Sequence, residues 1–140
     1  MKIQILDTTF EQSIEGYDRH IDFKQLHQLQ EEVSDNECSY ILAPEILSSE
    51  QLPQYSNLLQ VLLSKLRLNG ELVVGGTDLT GFADAVSNKK IDTTTANHIV
   101  ARSKSMANVH EVCQLIHSLC NFNINWSCTG VHYEIKIRRV

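Results

Sequence analysis

The sequence has few of the residues that separate domains. Its 140 residues include only two prolines and six glycines, and they contain no linker, internal repeat or low-complexity tract. A chain of this length can bury a core without disulfides or metals. We therefore predict one domain that spans residues 1–140.

Positive charge and long apolar runs are also scarce. The 12 basic and 17 acidic side chains give a net charge of −5, without the basic footprint that nucleic-acid binding requires. The single basic cluster, Lys136, Arg138 and Arg139, alternates with isoleucines as on the wet face of a strand. No apolar run approaches the ~20 residues of a membrane span, and MKIQILD lacks the apolar core of a signal peptide. We expect no nucleic-acid or membrane partner and a cytoplasmic location.

Cysteine spacing excludes two further classes of site. The four cysteines contain no C-x-x-C pair and no disulfide framework, which favours a reduced compartment. An H-x2-C-x3-H-x2-C pattern runs from His110 to Cys120. On a helix this pattern covers ~15 Å of axis, which is too long for one tetrahedral ion with bonds of ~2 Å. At most a neighbouring pair could bind a metal with ligands from elsewhere, and we predict no metal site.

Motifs for nucleophilic catalysis and phosphate binding are absent too. No Ser or Cys lies in a G-x-S-x-G elbow. The stretch VGGTD at residues 74–78 contains two glycines but lacks the Lys-Ser/Thr of a P-loop. We interpret Gly75 and Gly76 as residues of a strand end that packs closely against its neighbours.

The most regular pattern lies between Tyr55 and Asp78. Apolar residues recur there at helical spacing: Tyr55, Leu58, Leu59, Leu62, Leu63 and Leu66. We expect Asn69-Gly70 to end this helix, because both residue types tolerate the left-handed backbone of a C-terminal cap. The apolar, β-branched run that follows predicts a buried strand over residues 71–76.

The remaining patterns complete an α/β order. Strands are predicted at residues 2–7, 17–22 and 38–43, with a terminal hairpin of residues 124–128 and 131–139. Helices are predicted at residues 23–33, 82–88 and 109–119, and Asn108 and Glu111 form a capping-box pattern before the last. Residues 89–106 form the least regular part. The fold predicted is a doubly wound, Rossmann-like, mostly parallel sheet of six or seven strands, with an antiparallel hairpin and both faces covered.

Four stretches with this order resemble the class I S-adenosylmethionine-dependent methyltransferases. The similarity is greatest to small members whose first strand leads into an N-L-G-C-G type loop. The stretches are residues 34–49 (SDNECSYILAPEILSS), 58–78 (LLQVLLSKLRLNGELVVGGTD), Glu15-Gly16-Tyr17 with Asp22, and residues 109–137. The second resembles the family's R-V-L-K-P-G-G-x-L-V-I segment. The resemblance implies a methyltransferase-type sheet and, in an active member, a bound S-adenosylmethionine.

The resemblance also implies a site, with two departures from the family. One is that its His and Glu-His positions after the fourth strand are replaced here by Glu45, Ser48 and Ser49. Members carry glycines after the first strand so that the backbone can lie against the cofactor, whereas residues 6–13 here contain none. In the family, the position that corresponds to Asp22 accepts hydrogen bonds from the ribose hydroxyls. The expected cofactor-binding residues are Asp7, Thr8, Asp22, Ala43, Glu45 and Asp78.

Three functions follow as hypotheses. The first is a methyltransferase-like protein with a degenerate cofactor loop, which acts as a binding or assembly module for an unidentified protein partner or its own copy. The second is an active methyltransferase in which residues 7–12 hold the cofactor by unusual contacts. The third is an assembly subunit that dimerises through an edge strand or a helix face. The sequence identifies no catalytic residue.

Overall fold

A computed structural model describes all 140 residues and contains six strands and six α-helices. The strands are Lys2–Leu6 (β1), Arg19–Asp22 (β2), Cys38–Ala43 (β3), Leu66–Thr77 (β4), Asn123–Thr129 (β5) and His132–Arg138 (β6). The helices are His27–Glu32 (α1), Ile46–Ser49 (α2), Tyr55–Lys65 (α3), Leu79–Ser87 (α4), Thr93–Arg102 (α5) and Val109–Leu119 (α6). None of these helices is long and apolar enough to cross a membrane.

The strands form one mixed sheet in the order β2-β1-β3-β4-β6-β5. The pairs β1–β2, β1–β3 and β3–β4 are parallel, whereas β6 is antiparallel to both β4 and β5. The predicted α/β class, the mostly parallel sheet and the terminal antiparallel hairpin are therefore confirmed. The hairpin turns at Gly130, whose φ of +61° suits a residue without a Cβ.

One face of the sheet carries the core. Ile3, Ile41, Leu72 and Ile137 lie side by side across four strands, and each is fully buried. The buried apolar residues of α1, α3 and α6 belong to the same cluster as these strand residues. The predicted stripe of α3 is confirmed from Tyr55 to Leu63, and its last predicted member, Leu66, is buried as the first residue of β4. Tyr55 begins this stripe, and its hydroxyl also donates to the Leu47 carbonyl.

The opposite face differs from the prediction that helices cover both sides. Residues 7–18, which join β1 to β2, form an irregular connection and no helix. Gln4, only 2 % exposed, holds this segment to β1: its Nε2 donates to the Gln12 carbonyl (3.1 Å), and its Oε1 accepts from Ile14 N (2.8 Å). Towards β6 the same face ends in the exposed side chains of Lys136 and Arg138.

The prediction that Asn69-Gly70 ends a helix is wrong. Helix α3 ends at Lys65, and β4 runs through the dipeptide. The β3–β4 register moves from Cys38–Leu66 to Tyr40–Glu71, so the residues between Leu66 and Glu71 form a bulge. Asn69 supplies the positive φ (+63°) that this bulge requires. Asn and Gly favour the same backbone in a cap and in a bulge, so the dipeptide alone could not distinguish the two.

Two other helices also differ from the prediction. Residues 89–106, expected to be irregular, contain α5, which Asp92 caps by accepting from Thr95 N (2.7 Å). No residue of α5 is buried, so it lacks the apolar stripe that would have predicted it. The predicted helix over residues 23–33 begins as a 3₁₀ turn, Phe23–Gln25, before α1. Helix α6 follows its predicted N-cap, since Asn108 Oδ1 accepts from His110 N (2.9 Å).

Candidate functional site

The candidate site lies where β1, β2, β3 and β4 end on the same edge of the sheet. In open α/β sheets, ligands bind outside the carboxyl ends of the parallel strands. This edge brings Thr8 to Asp22 and Glu45 to His132. Ala43, the last residue of β3, is fully buried opposite Val74, and its methyl side chain offers no polar group to a ligand.

Asp22 ends β2 and fastens the loop that follows β1. One carboxylate oxygen accepts from Thr8 Oγ1 at 2.5 Å, and the other accepts from Lys24 N at 3.0 Å, which caps the 3₁₀ turn. The Thr8 hydroxyl and then the Lys24 amide hold the pKa of Asp22 below its ordinary value, because both stabilise the ionised form. The ionised Asp22 therefore stabilises the loop after β1 through hydrogen bonds to residues of the same chain.

Asp7 organises a tight turn directly after β1. Its carboxylate accepts from Thr9 N at 3.0 Å, and its carbonyl accepts from Phe10 N (2.9 Å) and Glu11 N (2.8 Å). Glu11 returns the contact, since its carboxylate accepts from Asp7 N at 3.0 Å. Burial raises the pKa of Glu11, the hydrogen bond from Asp7 opposing this. The first backbone amide after β1 is thus already bonded.

Glu45 follows β3 and joins two groups that the sequence analysis missed. Its carboxylate lies 2.9 Å from His132 Nε2 and 3.8 Å from Arg102 Nη2. His132 Nε2 also lies 2.9 Å from the Pro44 carbonyl. The bond to Glu45 is the main reason that the pKa of His132 is raised, against the opposing effect of burial. The predicted hairpin offered a signal for His132, because an antiparallel last strand begins beside the carboxyl end of its neighbour.

Asp78 is 8 % exposed and holds two helices in place. Its carboxylate caps α4 by accepting from Gly81 N at 2.8 Å, and it accepts from Val109 N at the start of α6 at 3.0 Å. The neighbouring glycines are closely packed, as predicted: a Cβ on Gly75 would overlap the carbonyl oxygens of Tyr133 and Pro44. Both oxygens of Asp78 are thus used within the fold.

A cavity of about 540 Å³ opens beside this edge. Such a volume lies within the range of small-molecule sites. Arg102 lies over the Phe10 ring at 5.4 Å from its centre. Of the predicted site residues, only Asp7 lines the cavity. Its walls are formed by Asp7, Phe10, Phe23, Lys24, Leu26, Ser49, Glu50, Ala101, Arg102, Ser103 and Lys104.

Similarity to known proteins is found in the three-dimensional structure and not in the sequence. No protein-family model and no curated protein matches the sequence. A SAM-dependent methyltransferase from Archaeoglobus fulgidus superposes with a TM-score of 0.66 at 11 % identity, over 98 % of this chain and 75 % of that one. The chain has a class I methyltransferase-like fold. The plantazolicin methyltransferase, solved with a triazolic desmethylPZN analogue and SAH, gives 0.65 at 9 % identity, over 99 % and 76 %.

A third solved structure supports the same methyltransferase-like fold. The 1,6-didemethyltoxoflavin-N1-methyltransferase of Burkholderia thailandensis, solved with bound 1,6-didemethyltoxoflavin and S-adenosylhomocysteine, gives a TM-score of 0.56 at 12 % identity, over 99 % of this chain and 70 % of that one. These three similarities establish the fold alone. The predicted family resemblance is confirmed at that level.

The backbone after β1 differs from the one that the resemblance implies for an S-adenosylmethionine site. Each carboxylate oxygen of Asp22 already accepts one hydrogen bond, from Thr8 or from the Lys24 amide, and keeps one acceptor site that a ribose hydroxyl could use. Asp7 N would have to release Glu11, and no glycine in the turn lets a ligand approach the backbone closely. The Asp7 amide therefore stabilises the loop by its bond to Glu11.

Proposed function

We propose that this chain is a methyltransferase-like binding or assembly module that does not transfer methyl groups. The observation that carries the proposal is the closed turn after β1, where Asp7, Thr8 and Asp22 bond to their own loop. In such a protein the polar groups at the cofactor edge are bonded within the chain, while the sheet is retained and its outer surfaces remain available to a partner.

The free energy that a cofactor would have to offset can be estimated from the hydrogen bonds of the turn. A hydrogen bond contributes about 1 kcal/mol net, and one to an ionised group contributes about 1.5–3 kcal/mol. Release of Glu11 from Asp7 N breaks one such bond, because the amide has a single hydrogen to donate. A cofactor that used this amide would first have to offset about 1.5–3 kcal/mol, which would weaken its binding about tenfold to a hundredfold.

A second function is favoured by the cavity. An active methyltransferase could hold S-adenosylmethionine there through the side chains of residues 7–12, with the rings of Phe10 and Phe23 against the adenine. The volume of about 540 Å³ and the two aromatic side chains in its wall support this alternative. It requires the cofactor to bind through side chains rather than through a glycine-rich backbone.

Thermal unfolding with S-adenosylmethionine and with S-adenosylhomocysteine tests the two functions. A ligand at a hundred times its Kd adds ~2.7 kcal/mol, which is an upward shift of several degrees for a domain of this size. We expect no shift at millimolar ligand. A shift would overturn the proposal.

A matched pair of variants locates any such binding. Ala101→Trp places a bulky ring in the cavity wall, and Ala83→Trp places the same ring on the exposed surface of α4. Loss of the shift in Ala101→Trp, with a full shift in Ala83→Trp, would establish the cavity as the cofactor site. That result would support the active enzyme.

A further inference from the structure

The two edges of the sheet differ in length and charge. Strand β2 has four residues, RHID, three of them ionisable, and such short charged edges resist pairing with other chains. Strand β5 has seven residues, NINWSCT, without a charge or a proline. Six of these seven residues are exposed. Strand β5 therefore lacks the protection that edge strands ordinarily carry.

The outer side of β5 has no hydrogen-bond partner within the chain. It pairs only with β6, and no side chain bonds to its backbone. In an antiparallel ladder, alternate residues direct their N–H and C=O groups away from the paired strand. A row of donors and acceptors thus faces solvent along the whole of β5.

The side chains of β5 divide by face. Ile124, Trp126 and Cys128 lie opposite Ile137, Ile135 and Tyr133 on the core face of the sheet. Asn125 and Ser127 lie on the other face. Trp126 is 46 % exposed and packs edge-on against His110 of α6 at 4.8 Å between ring centres.

This arrangement is complementary to itself. In an antiparallel pairing of two copies about a two-fold axis at Trp126, all seven residues of each strand are paired. Ile124 then lies opposite Cys128 and Asn125 opposite Ser127, so apolar residues meet on one face and polar residues on the other. No like charges meet, although the whole chain carries a net charge of −5.

We propose that two copies of this chain associate through their β5 edges into a continuous twelve-stranded sheet. The proposal rests on the assembly role proposed above and names its partner, a second copy. A two-fold interface requires one surface to complement itself, which β5 does residue by residue. The added ladder bonds the free backbone groups of both edges, as in other cases of strand addition.

Trp126 is the only tryptophan and reports this interface directly. Light scattering after size-exclusion chromatography, from micromolar to millimolar protein, should show a monomer–dimer equilibrium. Its midpoint should coincide with a blue shift of tryptophan emission as Trp126 leaves water. A wild-type protein that remains monomeric throughout would overturn the dimer, while the cofactor titration would still decide the proposed function.

Charge variants test the register. Asn125→Lys/Ser127→Lys places lysines opposite each other twice and should weaken the dimer about tenfold or more. Asn125→Glu/Ser127→Glu should do the same, and an equimolar mixture of the two variants should restore a 1:1 heterodimer. The control Ser87→Lys/Thr94→Lys adds the same charge to exposed residues of α4 and α5 and should leave the dimer unchanged.

Restoration by mixing excludes unfolding as the reason for dissociation. If the lysine variant dimerises as the wild type does, the interface lies elsewhere and the inference is wrong. If the mixture remains monomeric while each variant is folded by circular dichroism, the antiparallel register is wrong.

Discussion

Gln4 tests whether the connection between β1 and β2 is held to the sheet as described. Gln4→Leu keeps the size of a side chain that is 2 % exposed but removes its bonds to the Gln12 carbonyl and the Ile14 amide. Each bond contributes about 0.5–1.5 kcal/mol net. The substitution should therefore lower the free energy of unfolding by about 1–3 kcal/mol. The apolar side chain offsets part of this loss, because Leu6 and Val73 are also buried on that face.

Urea unfolding measures this effect, with Gln30→Leu as the control. Gln30 is exposed on α1, so its substitution should change stability by less than about 0.5 kcal/mol. Native-state hydrogen exchange adds a local measurement, since Ile14 N–H should exchange faster in Gln4→Leu. If Gln4→Leu has the stability of Gln30→Leu and unchanged exchange at Ile14, these two bonds do not hold the segment.

Three further predictions use other parts of the chain. The raised pKa of His132 makes its bond to Glu45 fully stabilising below about pH 6.5, and this stability is lost as pH rises through the folded pKa. Glu45→Gln should therefore reduce the loss of stability between about pH 6 and pH 8 in thermal melts. Gly75→Ala should cost more than about 3 kcal/mol or prevent folding, because its Cβ overlaps two carbonyl oxygens; a soluble variant with wild-type stability by urea unfolding would contradict this. Burial raises the pKa of Cys38 to about 11, so iodoacetamide should label exposed Cys128 first and Cys38 only on unfolding, as mass spectrometry can follow.

The sheet could be predicted because its signals are local and strong. The run CSYILA became β3 with both predicted ends, and the stripe of α3 is buried as predicted. Helix α5 could not be predicted in this way, because it buries nothing and its apolar residues serve no core. Asn69 shows a second limit of prediction from sequence. A residue with positive φ can end a helix or form a bulge, and only the pairing with β3 distinguishes the two.

The candidate site was predictable in position and only partly in composition. The resemblance implied Asp7, Asp22 and Glu45, which end or follow predicted strands, and parallel strands share one carboxyl edge. The partners of Glu45 were missed, since they come from distant segments: Arg102 from α5 and His132 from the last strand. The roles of the predicted cofactor-binding residues stay predictions until the ligand titration is done.

The uneven covering of the sheet also governs how this sequence can diverge. Leu72 faces the helices and tolerates only apolar residues of similar size, whereas its neighbour Glu71 and the opposed Arg138 face the polar side. Substitution at such polar positions costs little, so neutral change can accumulate at them while the core row persists. A backbone built in this way can be retained at 9–12 % identity, as it is between this chain and its structural neighbours.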